Sequence, residues 1–417
     1  MKFSAFGERF TRSTGALQLM DDLGAALDSE EPVLMLGGGN PARIPQVEQF
    51  FREELESVVA DDRELGRLAF NYSPSGGDRR FRRELASMFK NRFGWPITAD
   101  NIALTSGSQN AFFMLFNLFG GQMADGSRRQ ILLPLAPEYI GYNDVGIGEK
   151  LFTANRPRIE LLDDNLFKYF VDLDNLEVGP EIGALCVSRP TNPTGNVLTD
   201  EEIDALSDLA RRNDVPLIVD NAYGAPFPNI IDRKVTTAWN ENTVLCLSLS
   251  KLGIPAVRTG IVVASEEIVA GISAMNATLH LAVSSVGPVW LHRAVRSGRL
   301  IDISNSVIRP YYRDSAERAL GWVREYFQGV DYHVHRPEGA FFLWLWFPDL
   351  PISSNELYER LKQKGVLVVS GHHFFPGLDE EWQHKLECIR ISHAQKPDIV
   401  REGIAVIAQE VREAYGL

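Results

Sequence analysis

Cysteine is scarce in this sequence, and its three copies lie far apart. Cys186, Cys246 and Cys388 are too few and too scattered for a disulfide framework, and they show no metal-ligand spacing. Cys186 and Cys246 lie within apolar, strand-like segments, which favours buried, reduced thiols. The sequence therefore does not fit a small disulfide-stapled fold, and its cysteines do not predict a metal site.

Long apolar runs and an excess of basic residues are also missing. The densest apolar stretch, residues 340–347, is too short to span a bilayer, and the N-terminus has no apolar secretory core. The formal net charge of -13 argues against a nucleic-acid or acidic-membrane partner, although the same charge also serves solubility. From these absences we expect a soluble, cytoplasmic protein with neither a nucleic-acid nor a membrane partner.

What the chain does contain is a regular alternation of strand-like and helix-like segments. Its 417 residues are enough for two domains, and its composition is that of an ordinary soluble globular protein. Such alternation predicts a mostly parallel sheet that is covered by helices on both faces. The segments that predict its strands are residues 101–105, 131–133, 184–187, 217–219, 244–247 and 260–264.

The pattern changes near residue 300. A long helical segment, 301–327, leads into apolar strand-like stretches, and a final helix ends the chain, which together indicate a smaller α+β domain. We therefore expect residues 46–300 to form a large domain. Residues 1–45 and 301–417 would then form an N-terminal arm plus a small C-terminal domain.

Lys251 lies just past the carboxyl end of the predicted strand 244–247, where open α/β sheets place ligands. A lysine at the rim of a core is costly unless its ammonium is paired or its amine takes part in chemistry. Taken alone, the stretch slightly favours a surface lysine that ends a strand. Other segments must therefore decide whether this amine is reactive.

Polar groups follow several of the other predicted strands. The turn at 106–108 offers backbone N–H groups at a helix N-terminus, which suits a phosphate. Asp220 ends an apolar strand and needs a cation or strong donors, while Arg258 and Arg390 could each hold an anion. Each has a structural explanation of its own, as does Asn192 in a proline-rich turn. Together they describe a site for a phosphorylated cofactor with a basic ring nitrogen and an aldehyde.

These motifs resemble, in content and in order, those of the fold-type I pyridoxal-phosphate enzymes of the aspartate-aminotransferase family. The matching segments span nearly the whole chain: Gly39-Asn40-Pro41, the tyrosine loop 72–77, Ser106-Gly107-Ser108, the turn 190–195, Asp220-Asn221-Ala222-Tyr223, Ser248-Leu249-Ser250-Lys251 with Arg258, and Arg390. The resemblance implies an α/β fold-type I transferase with a mostly parallel central sheet in a large domain and a smaller α+β domain. It also implies pyridoxal 5′-phosphate as cofactor.

The resemblance implies a role for each matching residue in turn. Lys251 would bind the cofactor covalently and move a proton during the reaction, and Asp220 would pair with the ring nitrogen. Tyr223 and Asn192 would hydrogen bond to the phenolate oxygen, and Tyr139 would stack on the ring.

The remaining implied roles concern the two anionic groups. The cofactor phosphate would be held by Gly107, Ser108, Ser248, Ser250 and Arg258. Tyr72 would reach the same phosphate from the second subunit of a homodimer with a composite active site. Arg390 would bind the substrate α-carboxylate, helped by Asn192 and the Gly39 backbone.

Four segments resemble, more narrowly, the branch of the family that moves an amino group between valine and pyruvate. They are residues 36–41, 134–142, 187–196 and 371–378. The implied reaction converts L-valine, or a similar small aliphatic amino acid, and pyruvate to 2-oxoisovalerate and L-alanine.

Three alternatives remain open at this stage. One is a carbon–sulfur β-lyase that uses the same cofactor, and another is an aminotransferase of a different substrate range. The third is a non-enzymatic cofactor-binding regulatory domain. The acidic charge, and the lack of room for a DNA-binding module before residue 30, argue against that last reading.

Four features depart from the resemblance or add to it. Ala256 stands where similar enzymes usually have glycine, and Ser370 stands where many have proline, which leaves the side-chain preference open. His372 and His373 suggest a metal site, but no third ligand accompanies them, so we expect none. Residues 1–30 are amphipathic, and we expect a mobile arm or docked helix that closes over the substrate.

Overall fold

The computed structural model describes residues 2–12, 17, 21, 24 and 33–417. Much of the predicted N-terminal arm, including most of residues 13–32, lies outside these ranges. The helices are α1 (Ala5–Phe10), α2 (Pro45–Val59), α3 (Asp62–Ala69), α4 (Arg79–Phe93), α5 (Ser108–Phe119), α6 (Asp200–Arg212), α7 (Glu266–His280), α8 (Val286–Arg296), α9 (Arg299–Ile303), α10 (Arg309–Tyr326), α11 (Ser354–Gln363) and α12 (Pro397–Tyr415).

The strands alternate with these helices through the middle of the chain and cluster again near its end. They are β1 (Leu34–Met35), β2 (Ile102–Thr105), β3 (Gly121–Gln122), β4 (Arg128–Leu133), β5 (Phe152–Ala154), β6 (Arg158–Leu161), β7 (Leu166–Phe170), β8 (Ile182–Ser188), β9 (Leu217–Asp220), β10 (Thr243–Ser248), β11 (Gly260–Val263), β12 (His333–His335), β13 (Phe342–Trp346), β14 (Val366–Leu367), β15 (Val369–Ser370) and β16 (Cys388–Ser392).

Short 3-10 helices connect several of these elements. They are Ala99–Asn101, Ile140–Tyr142, Ser250–Leu252, Pro255–Val257, Gly371–Phe374 and Gln383–Leu386. In the described ranges, no helix combines the length and the apolar character that a bilayer crossing requires.

The central sheet has the order β2-β11-β10-β9-β8-β4-β3, with β5 also pairing with β4. Strands β10, β9, β8, β4 and β5 run parallel, whereas β11 is antiparallel to both of its neighbours. This confirms the mostly parallel sheet that the sequence predicts. Because the parallel strands end at one edge, the polar residues that follow them meet there.

Helices cover both faces of this sheet because successive strand side chains point to opposite sides. In β8, Leu185 and Val187 pack in one apolar cluster with Leu206 of α6. Ala184 and Cys186 pack in another with residues of α5. Cys246 lies in that second cluster, and all three cysteines are buried free thiols, as predicted for Cys186 and Cys246.

A second sheet has the order β15-β16-β13-β12-β7-β6. The apolar residues of β13 and β16 pack against α10, α11 and α12 in a core of their own, which agrees with an α+β arrangement near the C-terminus. The hairpin of β6 and β7 also belongs to this sheet, through β7 and β12. Its residues fall within the range 46–300, so the division into domains at residue 300 stays a prediction.

The region predicted as one long helix, 301–327, is a helix with a change of winding. Residues Ser304–Ile308 form a π-helix between α9 and α10, and the Ser304 hydroxyl donates to the Leu300 carbonyl. A period of 3.6 residues describes both flanking helices, so apolar periodicity alone did not reveal the inserted π turn.

The described part of the N-terminal arm contacts α5 and the loop that precedes β5. Arg9 Nε donates to the Gly146 carbonyl over 2.5 Å, and the ring of Phe10 meets that of Phe113 of α5 edge-on, with centroids 6.1 Å apart. The arm is therefore docked at least over α1. Its closure over a substrate stays a prediction.

Lys168 forms a buried ion pair and also hydrogen bonds to the loop that follows β8. The ammonium of Lys168, on β7, pairs with Glu338 and donates to Asn196 Oδ1 over 2.7 Å and to the Val197 carbonyl over 3.2 Å. Arg233 also contacts Glu338, at 3.0 Å. Removing one partner of such a pair leaves an uncompensated buried charge.

We therefore predict that Lys168→Met lowers the free energy of unfolding by about 3 kcal/mol, because the Glu338 carboxylate loses its buried cation and keeps only the partly exposed Arg233. Urea unfolding followed by circular dichroism measures this change. The matched control is Arg211→Met, which breaks a 2.7 Å pair with Asp208 whose side chains are both well exposed. It should cost less than about 1 kcal/mol, and equal losses in the two variants would contradict the prediction.

Candidate functional site

Lys251 lies at the carboxyl edge of the central sheet, in the 3-10 helix directly after β10. Its Nζ donates to the Gly39 carbonyl over 2.7 Å and sits 5.4 Å from the ring centroid of Tyr223. Burial, reinforced by the charges of Arg390 and Arg258, lowers the pKa of the amine to about 8. The neutral, nucleophilic amine is therefore far more abundant near neutral pH than it is at a lysine of ordinary pKa.

Asp220 ends β9, one strand away from Lys251, and is buried. Tyr142 donates its hydroxyl to Oδ2 over 2.7 Å, and the Ala222 N–H donates to Oδ1 over 3.0 Å. Burial raises the pKa of the carboxyl, while these hydrogen bonds and the charge of Lys251 act against the rise. Asp220 thus has the donors that the sequence required, and it would gain a partner from a cationic ring nitrogen.

Arg390 projects from β16, and its guanidinium is buried between aromatic rings. The Phe342 centroid lies 4.2 Å from Cζ, and Phe374 lies on the same group at 5.3 Å. Nη1 donates to Asn192 Oδ1 over 2.9 Å and Nη2 to the Gly37 carbonyl over 2.5 Å, whereas Nε is buried without a partner. A buried guanidinium with an unused N–H is suited to a carboxylate.

The predicted phosphate site forms where α5 begins. Gly107 precedes the helix with a φ of +90°, and a Cβ there would collide with the guanidinium of Arg258. Arg258 in turn donates to Ser250 Oγ over 3.3 Å, and Ser248 Oγ accepts the Ser250 N–H over 3.1 Å. The helix N-terminus, the hydroxyls and the arginine therefore converge, with Ser108 as the first helical residue.

Tyr223, Asn192 and Tyr139 complete the group that the structure brings together. Tyr223 is buried against Phe341, and burial raises the pKa of its hydroxyl well above the ordinary value. Asn192 contacts Arg390 as described, and Tyr139 stands edge-on to Tyr142, with centroids 5.4 Å apart.

Tyr72 is the one predicted site residue that the single chain does not bring to the others. Its side chain is 87% exposed, in the loop after α3. The resemblance implies that Tyr72 contacts the phosphate of a second subunit, and this contact stays a prediction.

The assembled residues fit pyridoxal phosphate. The turn at Gly107 and the Arg258 guanidinium leave a cradle for a phosphate, and the buried Asp220 carboxylate suits a protonated ring nitrogen. Lys251 is positioned to meet an aldehyde, and the unpaired Nε of Arg390 remains for a substrate carboxylate.

Two residues near Asp220 were not assigned roles from the sequence, although both lie in the segment 134–142. They are Tyr142, which hydrogen bonds to Asp220, and Glu138, which is buried and hydrogen bonded to both the N–H and the hydroxyl of Ser188. An acidic residue inside an otherwise apolar stretch was the available signal for Glu138.

His372 and His373 lie next to each other in the 3-10 helix Gly371–Phe374. Their rings are tilted by 38° with centroids 3.8 Å apart, and Ser370 Oγ lies 2.7 Å from His372 Nδ1. Across the ranges that are described, no three His, Cys, Asp or Glu side chains are grouped to hold a metal ion. Ser370 thus takes part in a hydrogen bond to this histidine pair.

The family model for class I and II aminotransferases matches residues 35–407 of the chain. Valine–pyruvate aminotransferase of Escherichia coli (strain K12) is 46% identical over 415 residues, which cover 100% of this chain and 99% of that protein. The solved structure of valine–pyruvate aminotransferase AvtA from Salmonella typhimurium LT2 has a TM-score of 0.89 and 44% identity, over 96% of this chain and 99% of the other. A solved structure from Psychrobacter arcticum 273-4 reaches a TM-score of 0.97 at 48% identity, over 100% and 99% of the two chains.

The depressed pKa of Lys251 predicts a stability that rises with pH. Between about pH 8 and 10.5 the unfolded chain keeps the lysine proton that the folded chain has lost, so the cofactor-free protein gains stability as pH rises. Lys251→Met should lack this gain. Urea unfolding of both proteins at pH 7 and pH 10 measures it, and an unchanged difference between them at the two pH values would contradict the prediction.

Proposed function

The chain belongs to the class I and II aminotransferases, which use pyridoxal phosphate, and on this premise we propose that it transfers the amino group of L-valine to pyruvate. The products are 2-oxoisovalerate and L-alanine, and similar small aliphatic amino acids also serve as donors. The observation that carries the choice of substrates is the 46% identity, over the full chain, to a valine–pyruvate aminotransferase.

The geometry supports a reaction at the α-carbon of an amino acid. The glycine segment 37–39 contacts both functional cations, because the Gly37 carbonyl accepts from Arg390 and the Gly39 carbonyl accepts from Lys251. A carboxylate bound at Arg390 therefore places the adjacent α-carbon on the side of the site where the Lys251 amine lies. Bound pyridoxal phosphate supplies an electron-withdrawing ring that weakens the bonds to that carbon.

Each residue then has a distinct task. Lys251 accepts and returns the α-proton, since its low pKa keeps a neutral amine available as a base. Asp220 holds the proton on the ring nitrogen, and Arg390 with Asn192 and the Gly39 backbone orients the substrate carboxylate. Tyr223 and Asn192 donate to the phenolate oxygen.

The remaining tasks fix the position of the cofactor. Tyr139 stacks on the ring face and so limits its tilt. The phosphate is bound by Gly107, Ser108, Ser248, Ser250 and Arg258. These groups combine backbone N–H donors at a helix N-terminus with a guanidinium, which suits a dianion.

We also propose a cytoplasmic homodimer in which Tyr72 reaches the phosphate of the neighbouring site. Phe70, Tyr72 and Leu281 are all large and at least 67% exposed. Their segments adjoin, because the Ser285 hydroxyl donates to the Leu68 carbonyl over 2.8 Å. An exposed apolar patch of this kind, next to an exposed tyrosine, fits a surface that is covered by a second copy.

The substrate proposal predicts the outcome of an assay with the purified, cofactor-loaded protein. Valine and pyruvate should give equal amounts of alanine and 2-oxoisovalerate, and the cofactor absorbance should change with valine and return with pyruvate. Aspartate and aromatic amino acids serve as matched donors of different side-chain chemistry. Absence of activity with every small aliphatic donor would contradict the proposal. Release of pyruvate and ammonia from cysteine or cystathionine, without any oxo-acid acceptor, would instead favour a β-lyase.

The composite site predicts that two inactive subunits complement each other. Lys251→Ala removes the base, and Tyr72→Ala removes the phosphate contact across the dimer. Refolding the two variants together should restore activity above either alone, because one site of each mixed dimer keeps both residues. The control is the same mixture made from Lys251→Ala and Asp220→Ala, whose mixed dimers contain no intact site. No gain over that control would contradict the composite site.

A further inference from the structure

A second carboxyl group is buried behind Asp220. Glu138 lies in the turn after β4 and is 1% exposed. Its Oε1 accepts the Ser188 N–H over 2.8 Å, and its Oε2 lies 2.5 Å from Ser188 Oγ. Its backbone N–H donates to the Phe374 carbonyl over 2.8 Å, so the side chain is held between β8 and the loop at residue 374.

Glu138 has no cation to balance a negative charge. Within the described ranges no lysine, arginine or histidine is close enough to Glu138 to favour its anion, whereas Asp220 is stabilised as an anion by the nearby charge of Lys251. A buried, unpaired carboxylate is costly and takes up a proton instead. Burial raises the pKa of Glu138 to about 8, against the effect of the Ser188 hydrogen bonds, and the charge of Asp220 raises it further.

Hydroxyl groups link the two carboxyls. Ser188 and Asp220 are paired directly across the parallel strands β8 and β9. The Ser188 side chain lowers the pKa of the Tyr142 hydroxyl, although burial raises that pKa by more. The Tyr142 hydroxyl donates to Asp220 Oδ2. The order of groups from the interior to the cofactor site is thus Glu138, Ser188, Tyr142 and Asp220.

We propose that Glu138 is a neutral carboxylic acid in the working protein and is a positioning residue for Asp220. Because Glu138 keeps its proton, Asp220 carries the negative charge of the buried carboxyl pair. The contact of Glu138 with Ser188 holds the Ser188 and Tyr142 hydroxyls in place, and Tyr142 in turn orients Asp220. The role of Asp220 as the partner of the ring nitrogen rests on the proposed aminotransferase function. The protonation state of Glu138 is independent of that function.

Burial shifts the pKa values of the other titratable groups around Glu138 away from neutral pH. Burial raises the pKa of Cys186 and of Tyr142 well above their ordinary values, and that of Tyr139 is also raised. On the loop packed against the Glu138 backbone, burial lowers the pKa of His373 to about 4 and also lowers that of His372. None of these groups is a carboxyl, so a buried carboxylic-acid signal from this region belongs to Glu138 or Asp220.

Infrared spectroscopy distinguishes the two possible proton holders, because a carboxylic acid and a carboxylate absorb at separate frequencies. The full-length wild type should show a buried carboxylic-acid band at pH 6.5, with or without bound cofactor. The band should be lost in Glu138→Gln, retained in Asp220→Asn and lost in the wild type as pH rises through about 8. The control Glu160→Gln, at an exposed position, should leave it unchanged.

Two infrared results would overturn the proposal. One is the absence of the band from the wild type at pH 6.5, and the other is its loss in Asp220→Asn but not in Glu138→Gln. Because the experiment needs no substrate, failure of the transamination assay and failure of this inference are separate results.

Stability and cofactor affinity give a second, independent readout. A raised pKa in the folded chain means that wild-type stability falls as pH rises from about 4.5 to about 8, and Glu138→Gln should remove this component. Glutamine mimics the neutral acid, so the cofactor dissociation constant of Glu138→Gln should stay within about twofold of wild type at pH 7. Glu138→Ala should raise it by roughly tenfold, because Ser188 loses its partner. Equal effects of Gln and Ala would overturn the positioning role.

Discussion

The parallel register of β8, β9 and β10 is the constraint on which the rest of the site depends. It pairs Ser188 with Asp220 and Asp220 with Cys246, so that the strands end together. Lys251 follows β10 at the same edge, and the apolar clusters on both faces of the sheet hold this register. A one-residue slip of β9 would exchange its two faces and turn Asp220 away from Tyr142.

At this edge the described chain collects more positive than negative charge. Lys251, Arg258 and Arg390 converge around the single anionic side chain Asp220, while Glu138 keeps its proton. Burial lowers the pKa of Lys251, and the charges of Arg390 and Arg258 lower it further, while burial lowers the pKa of Arg390 to about 10. The site is therefore matched to two anionic groups, a phosphate and a carboxylate, and its excess of positive charge adds to the effect of burial on the Lys251 amine.

Much of the fold follows from sequence because its strands are continuous apolar runs ended by turns. The exposed, charged strand β6 lacks such a pattern, so its pairing with the C-terminal sheet could not be predicted. Likewise, the segment around Lys251 did not decide between a surface and a reactive lysine. Asp220 and Arg390 indicated the site, because each is a charged residue in an apolar strand and needs a partner of opposite charge. The contacts of Tyr142 and Glu138 depend on strand register and side-chain direction, which only the folded chain defines.

The central claim is that Lys251 is the residue that binds the cofactor covalently. Borohydride reduction of the cofactor-loaded protein, followed by proteolysis and mass spectrometry, tests it directly. We expect a single pyridoxyl label, on the peptide that contains Lys251, and no label in Lys251→Ala. A label on another lysine of the wild type, or no label at all in a protein that retains the cofactor, would contradict it.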